Sequence, residues 1–156
     1  MAELDEYRAA LLERLQAQPA ELAQAIAAIP EAEWQARRAS DRPTLHHLAA
    51  HLRDLEALAF LPRFRRVLAE ANPQLNPFDS HHWSDKDYQP SEPMANILTD
   101  FARAREAALN LMQGMQPDDW SRLGFHPPSG WRTAQWWAER MYGHAQEHLA
   151  AIRGSQ

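Results

Sequence analysis

Met94-Ala-Asn-Ile-Leu-Thr-Asp-Phe-Ala-Arg-Ala-Arg-Glu-Ala-Ala-Leu-Asn-Leu-Met-Gln113 carries the cleanest periodic pattern in the chain. Met94, Ile97, Leu98, Phe101, Ala104, Ala108, Leu111 and Met112 recur at spacings of three and four, and Met115 continues the series. That period lays one apolar stripe along a helix. Gly114 marks its stop, and Pro117-Asp-Asp-Trp120 reads as a short helical turn.

The same period recurs on both sides. Upstream, Leu45, Leu48, Leu52, Leu55 and Ala59 form a seam within a long helix from about Pro43 to Ala71, with Ser40 or Asp41 as candidate caps. Pro62 is expected to kink it. Leu4, Tyr7, Leu11, Leu12 and Leu15 define a first segment to about Gln16. Gln18-Pro19 is expected to break it, with Leu22, Ile26 and Ile29 on a second stretch. Pro30 to Trp34 reads as one helical turn and Arg37 to Arg42 as a connection. Downstream, the irregular stretch His126-Pro-Pro-Ser-Gly130 leads into a last helix from about Thr133 to Arg153, ended by Gly154. Residues 72 to 93 hold four X-Pro breakers and read as a long loop, which its aromatics Phe78, Trp83 and Tyr88 tie to the rest. The expected fold is all-α: a four-helix bundle with a long loop between helices 2 and 3, in one domain over residues 1–156.

Composition narrows the function classes. A net charge of -5 argues against a nucleic-acid partner, which requires a basic surface to displace counterions. Arg63-Phe-Arg-Arg66 is too short to offset that and reads as a solvated helix end. With no cysteine, disulfides and thiolate ligands are excluded. The acidic start Met1-Ala-Glu-Leu-Asp-Glu6 is unlike a signal peptide, and no run approaches the roughly 18 apolar residues of a membrane span. A cytoplasmic protein with no membrane partner is the expectation.

Histidine is the informative residue. His47 and His51 are four apart, as are His144 and His148. Residues at i and i+4 lie on one helix face with β-carbons about 6 Å apart, so both imidazoles can turn to one ion. A third imidazole from a neighbouring helix would complete a facial set with positions left open. His51, His144 and His148 lie on or near apolar faces, where an imidazole without a polar partner is penalised. His46 falls nearer the polar side, and His47 shares the face of His51. On spacing alone, a metal site and ordinary packed histidines stand level. Asp54 and Glu147 each follow a candidate ligand by three residues; either a bond to that imidazole or simple solvation fits. Trp136 and Trp137 are adjacent and cannot both face the core, so one is available to pack between subunits. Trp34, Trp120 and Trp131 read as anchors of helix ends.

Trp34 followed by Pro43-Thr-Leu-His-His-Leu-Ala-Ala-His51-Leu-Arg-Asp-Leu-Glu56 resembles the second-helix motif of the DinB/YfiT-like superfamily. His126-Pro-Pro-Ser-Gly130 and then Gly143-His144-Ala-Gln-Glu-His148-Leu-Ala-Ala-Ile152 resemble its last-helix signature. Phe78-Asp79 through Trp83, and Phe101-Ala-Arg103-Ala-Arg105-Glu, are similar in layout, so the resemblance spans nearly the whole chain. It implies a four-helix bundle that binds a divalent ion through three histidines, here His51, His144 and His148. It leaves His47 as packing or support, His126 as a site-edge or structural residue, and His81 and His82 in the variable loop. It also implies a homodimer.

Characterised members include metal-dependent transferases that use low-molecular-weight thiols. The resemblance therefore implies a thiol S-transferase of detoxification type acting on a small electrophile, with zinc, nickel or iron as the ion. Imidazole suits all of these, and copper as well. Residues 78 to 88 would shape the pocket, and Arg103 and Arg105 would be anion contacts. A metal-carrying stress-response or ligand-binding protein without turnover is the second expectation. Metal-assisted hydrolysis ranks third, since spacing forces no carboxylate into the place of a general base.

Overall fold

The computed structural model describes residues 1–36, 42–77 and 87–154. Four helices make the bundle: α1 (Ala2–Ala27), α2, α3 (Met94–Gln113) and α4 (Ala134–Arg153). Helix α2 has three consecutive parts, Leu45–Asp54, a π-helical turn Leu55–Phe60, and Leu61–Ala69. Helices α1 and α2 each pack against both α3 and α4, so the order around the bundle is α1, α3, α2, α4. The expected stripe on α3 is the buried one: Met94, Ile97, Phe101, Ala104, Ala108 and Met112 all face the core.

Pro19 does not break α1, contrary to the sequence expectation. Proline lacks the N–H that would bond to Leu15 O four residues back. That carbonyl instead accepts a 2.8 Å hydrogen bond from Arg105 Nη1 on α3. A tertiary donor thus replaces the missing helical one. The expected kink at Pro62 becomes the π turn just before it, in which Leu61 N–H bonds back to Glu56 O. Thr44 supplies the cap of α2, its Oγ1 accepting from His47 N–H at 3.1 Å. Ser40 and Asp41, the expected caps, lie outside the described residues.

A polar layer crosses the bundle between two apolar clusters, one around Leu15, Phe64, Met112 and Met141, the other around Ile26, Leu45, Ile97 and Leu149. Its centre is Arg105, fully buried, whose Nε and Nη2 donate to both oxygens of the buried Glu56 carboxylate. Arg105 Nη1 also donates to Gln18 Oε1 at 2.7 Å, and Gln18 Nε2 reaches Tyr142 O on α4 at 3.0 Å. All four helices meet in this layer. Glu56 lies seven residues on from the buried Ala49 and so shares its inward face.

The stretch before α4, read as irregular, is an antiparallel hairpin of β1 (Leu123–His126) and β2 (Gly130–Thr133). Ser129 N–H closes its turn onto His126 O at 3.0 Å, and Gly130 adopts φ 79, a conformation that favours glycine. At Gly124 a β-carbon would meet Val67 Cγ2 at 2.8 Å, so glycine lets the hairpin lie against the end of α2. Phe125 also bridges to Gln74, and Arg122 caps the last carbonyls of α2 at Val67 and Glu70. These contacts fix His126 over the bundle.

Among the described residues, no helix is long and apolar enough to cross a membrane.

Candidate metal centre

The four-residue repeat of α4 stacks His144 and His148 one turn apart, with their Nε2 atoms 3.2 Å from each other. Helix α2 brings His51 across to them, ring centroids 5.7 Å from His144 and 5.5 Å from His148. One nitrogen from each of the three lies within 4.8 Å of the other two. Nitrogens bound to one ion at ~2.1 Å lie no more than ~4.2 Å apart, so small side-chain rotations bring these three rings round a single ion. This is the only such group of three among the described residues.

The surroundings favour neutral rings. Burial, with the neighbouring histidines adding to it, pushes the His51 imidazole down to about 4 and that of His144 to about 3. Burial also lowers His148, while Glu147 pulls the other way. A neutral imidazole is the form that ligates metal. The cluster opens on a cleft of about 260 Å³ whose walls include Leu55, Phe60, Arg63, His126, Trp136, Trp137 and Arg140.

One consequence is measurable without metal. In the unfolded chain these rings titrate near their ordinary 6.5, in the native chain well below it, so at intermediate pH the unfolded state holds more protons. Stability of the metal-free chain is therefore expected to be flat above about pH 7 and to fall as pH drops from 6.5 toward 4. The slope is at most about 1.4 kcal/mol per pH unit for each ring, reduced by solvent screening in the cleft. Urea midpoints at pH 7.5 and pH 5 test it; equal midpoints would contradict the burial of these rings.

A family model described as the DinB superfamily matches residues 2–152. The chain belongs to the DinB superfamily. Among solved structures, it is similar to YfiT from Bacillus subtilis, described as a probable metal-dependent hydrolase with an unusual four-helix bundle topology. The TM-score is 0.85 at 20% identity, over 96% of this chain and 86% of that one. At that identity the likeness establishes a shared four-helix fold. No curated protein matches this chain in sequence.

Other histidines of this DinB-superfamily chain fall elsewhere. His47 stacks on Tyr88, ring centroids 4.0 Å apart, as a packing residue. His46 is buried, although the sequence places it near the polar side. Residues 87–93 cover it: Nε2–H donates to Glu92 O at 2.6 Å, which leaves Nδ1 to accept from the Tyr88 hydroxyl at 2.5 Å. Asp54 accepts from Arg53 Nε at 2.6 Å, and Glu147 is solvated, facing Arg140 at 3.5 Å. His81, His82 and Trp83 lie outside the described residues.

The two arginines expected to contact an anion do not line the cleft. Arg103 is exposed, and Arg105 is spent on Glu56, Leu15 O and Gln18. Arg63, read from sequence as part of a solvated helix end, is instead buried and lines the cleft. Arg63 lies on the buried side of α2 and faces the ring of Trp137 on α4. Its spacing of seven from Glu56 and fourteen from the buried Ala49 is the local signal for that face. Trp137 is buried against Phe60 and His126, and Trp136 stands at the cleft beside Arg132.

Proposed function

We propose that His51, His144 and His148 hold one divalent ion, and that the chain is a metal-dependent enzyme joining a low-molecular-weight thiol to a small electrophile. The observation that supports this is the composition of the cleft. His51 and His144 sit at its wall with His148 clustered beside them, and no carboxylate lies among its described lining residues. Hydrolysis calls for a general base to take a proton from water. A thiol needs none once it is a thiolate. A divalent ion held by the three rings would supply Lewis acidity and favour that thiolate.

The protein's own contribution is positional. His144 and His148 are held one turn apart by a rigid helix, and His51 is anchored across from them by α2. Phe60 and Trp137 present apolar surface that limits water and seats the electrophile. The sulfur would form a bond to the electrophilic carbon, and the leaving group would depart with its bonding pair.

The test is thiol consumption with 1-chloro-2,4-dinitrobenzene and a panel of small thiols, comparing metal-loaded and metal-stripped protein. Metal-dependent turnover that disappears in His148→Ala is expected. Equal rates with and without metal, or none with any thiol, would end this reading. The description of YfiT supports hydrolysis as a second reading, which thiol-free cleavage of nitrophenyl esters would reveal. Tight metal binding without either activity would favour a non-catalytic binding or stress-response role. We also propose a homodimer, by analogy with the superfamily; sedimentation velocity decides it.

A further inference from the structure

We propose that Arg63, His126 and Trp137 form a carboxylate subsite beside the histidine cluster, so that the molecule bound there is a small organic acid with one negative charge. This rests on reading the cleft as the substrate site. Arg63 is 9% exposed and has no carboxylate partner among the described residues. Its Nη2 comes only within 3.5 Å of Asn76 O, and its Nε has no hydrogen-bond partner. A guanidinium stays charged at any physiological pH, so burial without a counter-ion is costly. The face of Trp137, 5.1 Å from the guanidinium carbon, offsets part of the charge but accepts no N–H.

Two more buried nitrogens share the defect. Trp137 Nε1 and His126 Nε2 also lack partners, in residues 2% and 8% exposed. The rings of His126 and Trp137 stand edge to face, centroids 5.3 Å apart. His126 Nδ1 is 3.0 Å from Ser129 Oγ. With that hydroxyl donating, Nε2 keeps the proton and is a donor. Arg63, His126 and Trp137 line the same cleft as His51 and His144.

One full positive charge and three N–H donors match a carboxylate, whose two oxygens accept up to four hydrogen bonds. A phosphate dianion would bring a second charge with no second buried arginine or lysine among the described lining residues to balance it. Arg140, at the rim, already faces Glu147. Leu55 and Phe60 provide an apolar wall for the rest of the molecule. The carboxylate belongs to the electrophile or to the thiol; the chemistry of the subsite is the same.

Calorimetric titration of the metal-free full chain with benzoate and its neutral counterpart benzamide, and with mercaptoacetate and its amide, tests this. At least one acid should bind tenfold or more tighter than its amide. That preference should vanish in Arg63→Met, weaken severalfold in Trp137→Phe, which keeps an aromatic face and loses the N–H, and persist in His148→Ala. A tighter benzoate assigns the carboxylate to the electrophile, a tighter mercaptoacetate to the thiol, and both keep the subsite. Acid and amide binding equally, neither acid binding, or a preference that survives Arg63→Met would overturn it. A metal-free protein that prefers the acid but never takes up metal would sink the proposed reaction while leaving this subsite standing.

Discussion

Protein purified without added metal and without a histidine tag is expected to carry one divalent ion per chain, and His148→Ala to carry none. Three imidazole nitrogens within 4.8 Å of one another make one compact donor set. Removing His148 leaves a nitrogen on each of two helices, and affinity should fall by at least about 100-fold, more than loss of a supporting residue outside the ligand set costs. His47→Ala is the matched control. It removes a histidine four residues from His51, but one stacked on Tyr88, and should leave metal content unchanged. Elemental analysis reads all three proteins. No ion in the wild type after reconstitution, or loss of metal in His47→Ala instead, would mean that the cluster is packing and not a ligand set.

Arg105→Met should destabilise the fold by about 3–5 kcal/mol, the range for breaking a buried ion pair from one side. The substitution strands the Glu56 carboxylate in the core and removes the donor to Leu15 O and Gln18 Oε1. Adding Glu56→Leu should recover much of the loss, because an apolar pair leaves no buried charge. A finer check follows from Pro19. In a Pro19→Ala background the helix regains its own N–H for Leu15 O, and Arg105→Met should cost less by about 1 kcal/mol. Urea unfolding measures each variant. A cost under about 1 kcal/mol for Arg105→Met, or a double variant no better than the single, would show that the layer contributes little.

Several features were legible because their causes are local. The stripe from Met94 to Met112 predicts α3 from Met94 to Gln113, the span observed. The pair His144 and His148 is local too, since i and i+4 share a face in any helix. The choice between His47 and His51 was not local. Both lie on one side of α2, and the superfamily resemblance favoured His51; in the structure His51 meets α4 while His47 meets Tyr88.

What the amino-acid sequence determined alone is the set of helices, their apolar faces and the histidine spacing, because hydrophobic periodicity acts within a few residues. Tertiary structure decided the rest. Helix α1 continues through Pro19 because a guanidinium 90 residues from Leu15 replaces the donor that Leu15 O loses. Glu56 and Arg63 meet Arg105 of α3 and Trp137 of α4, and the hairpin holds His126 over the cleft. Each depends on groups brought together from distant segments, and the free energy of satisfying a buried carbonyl or charge exists only once they meet.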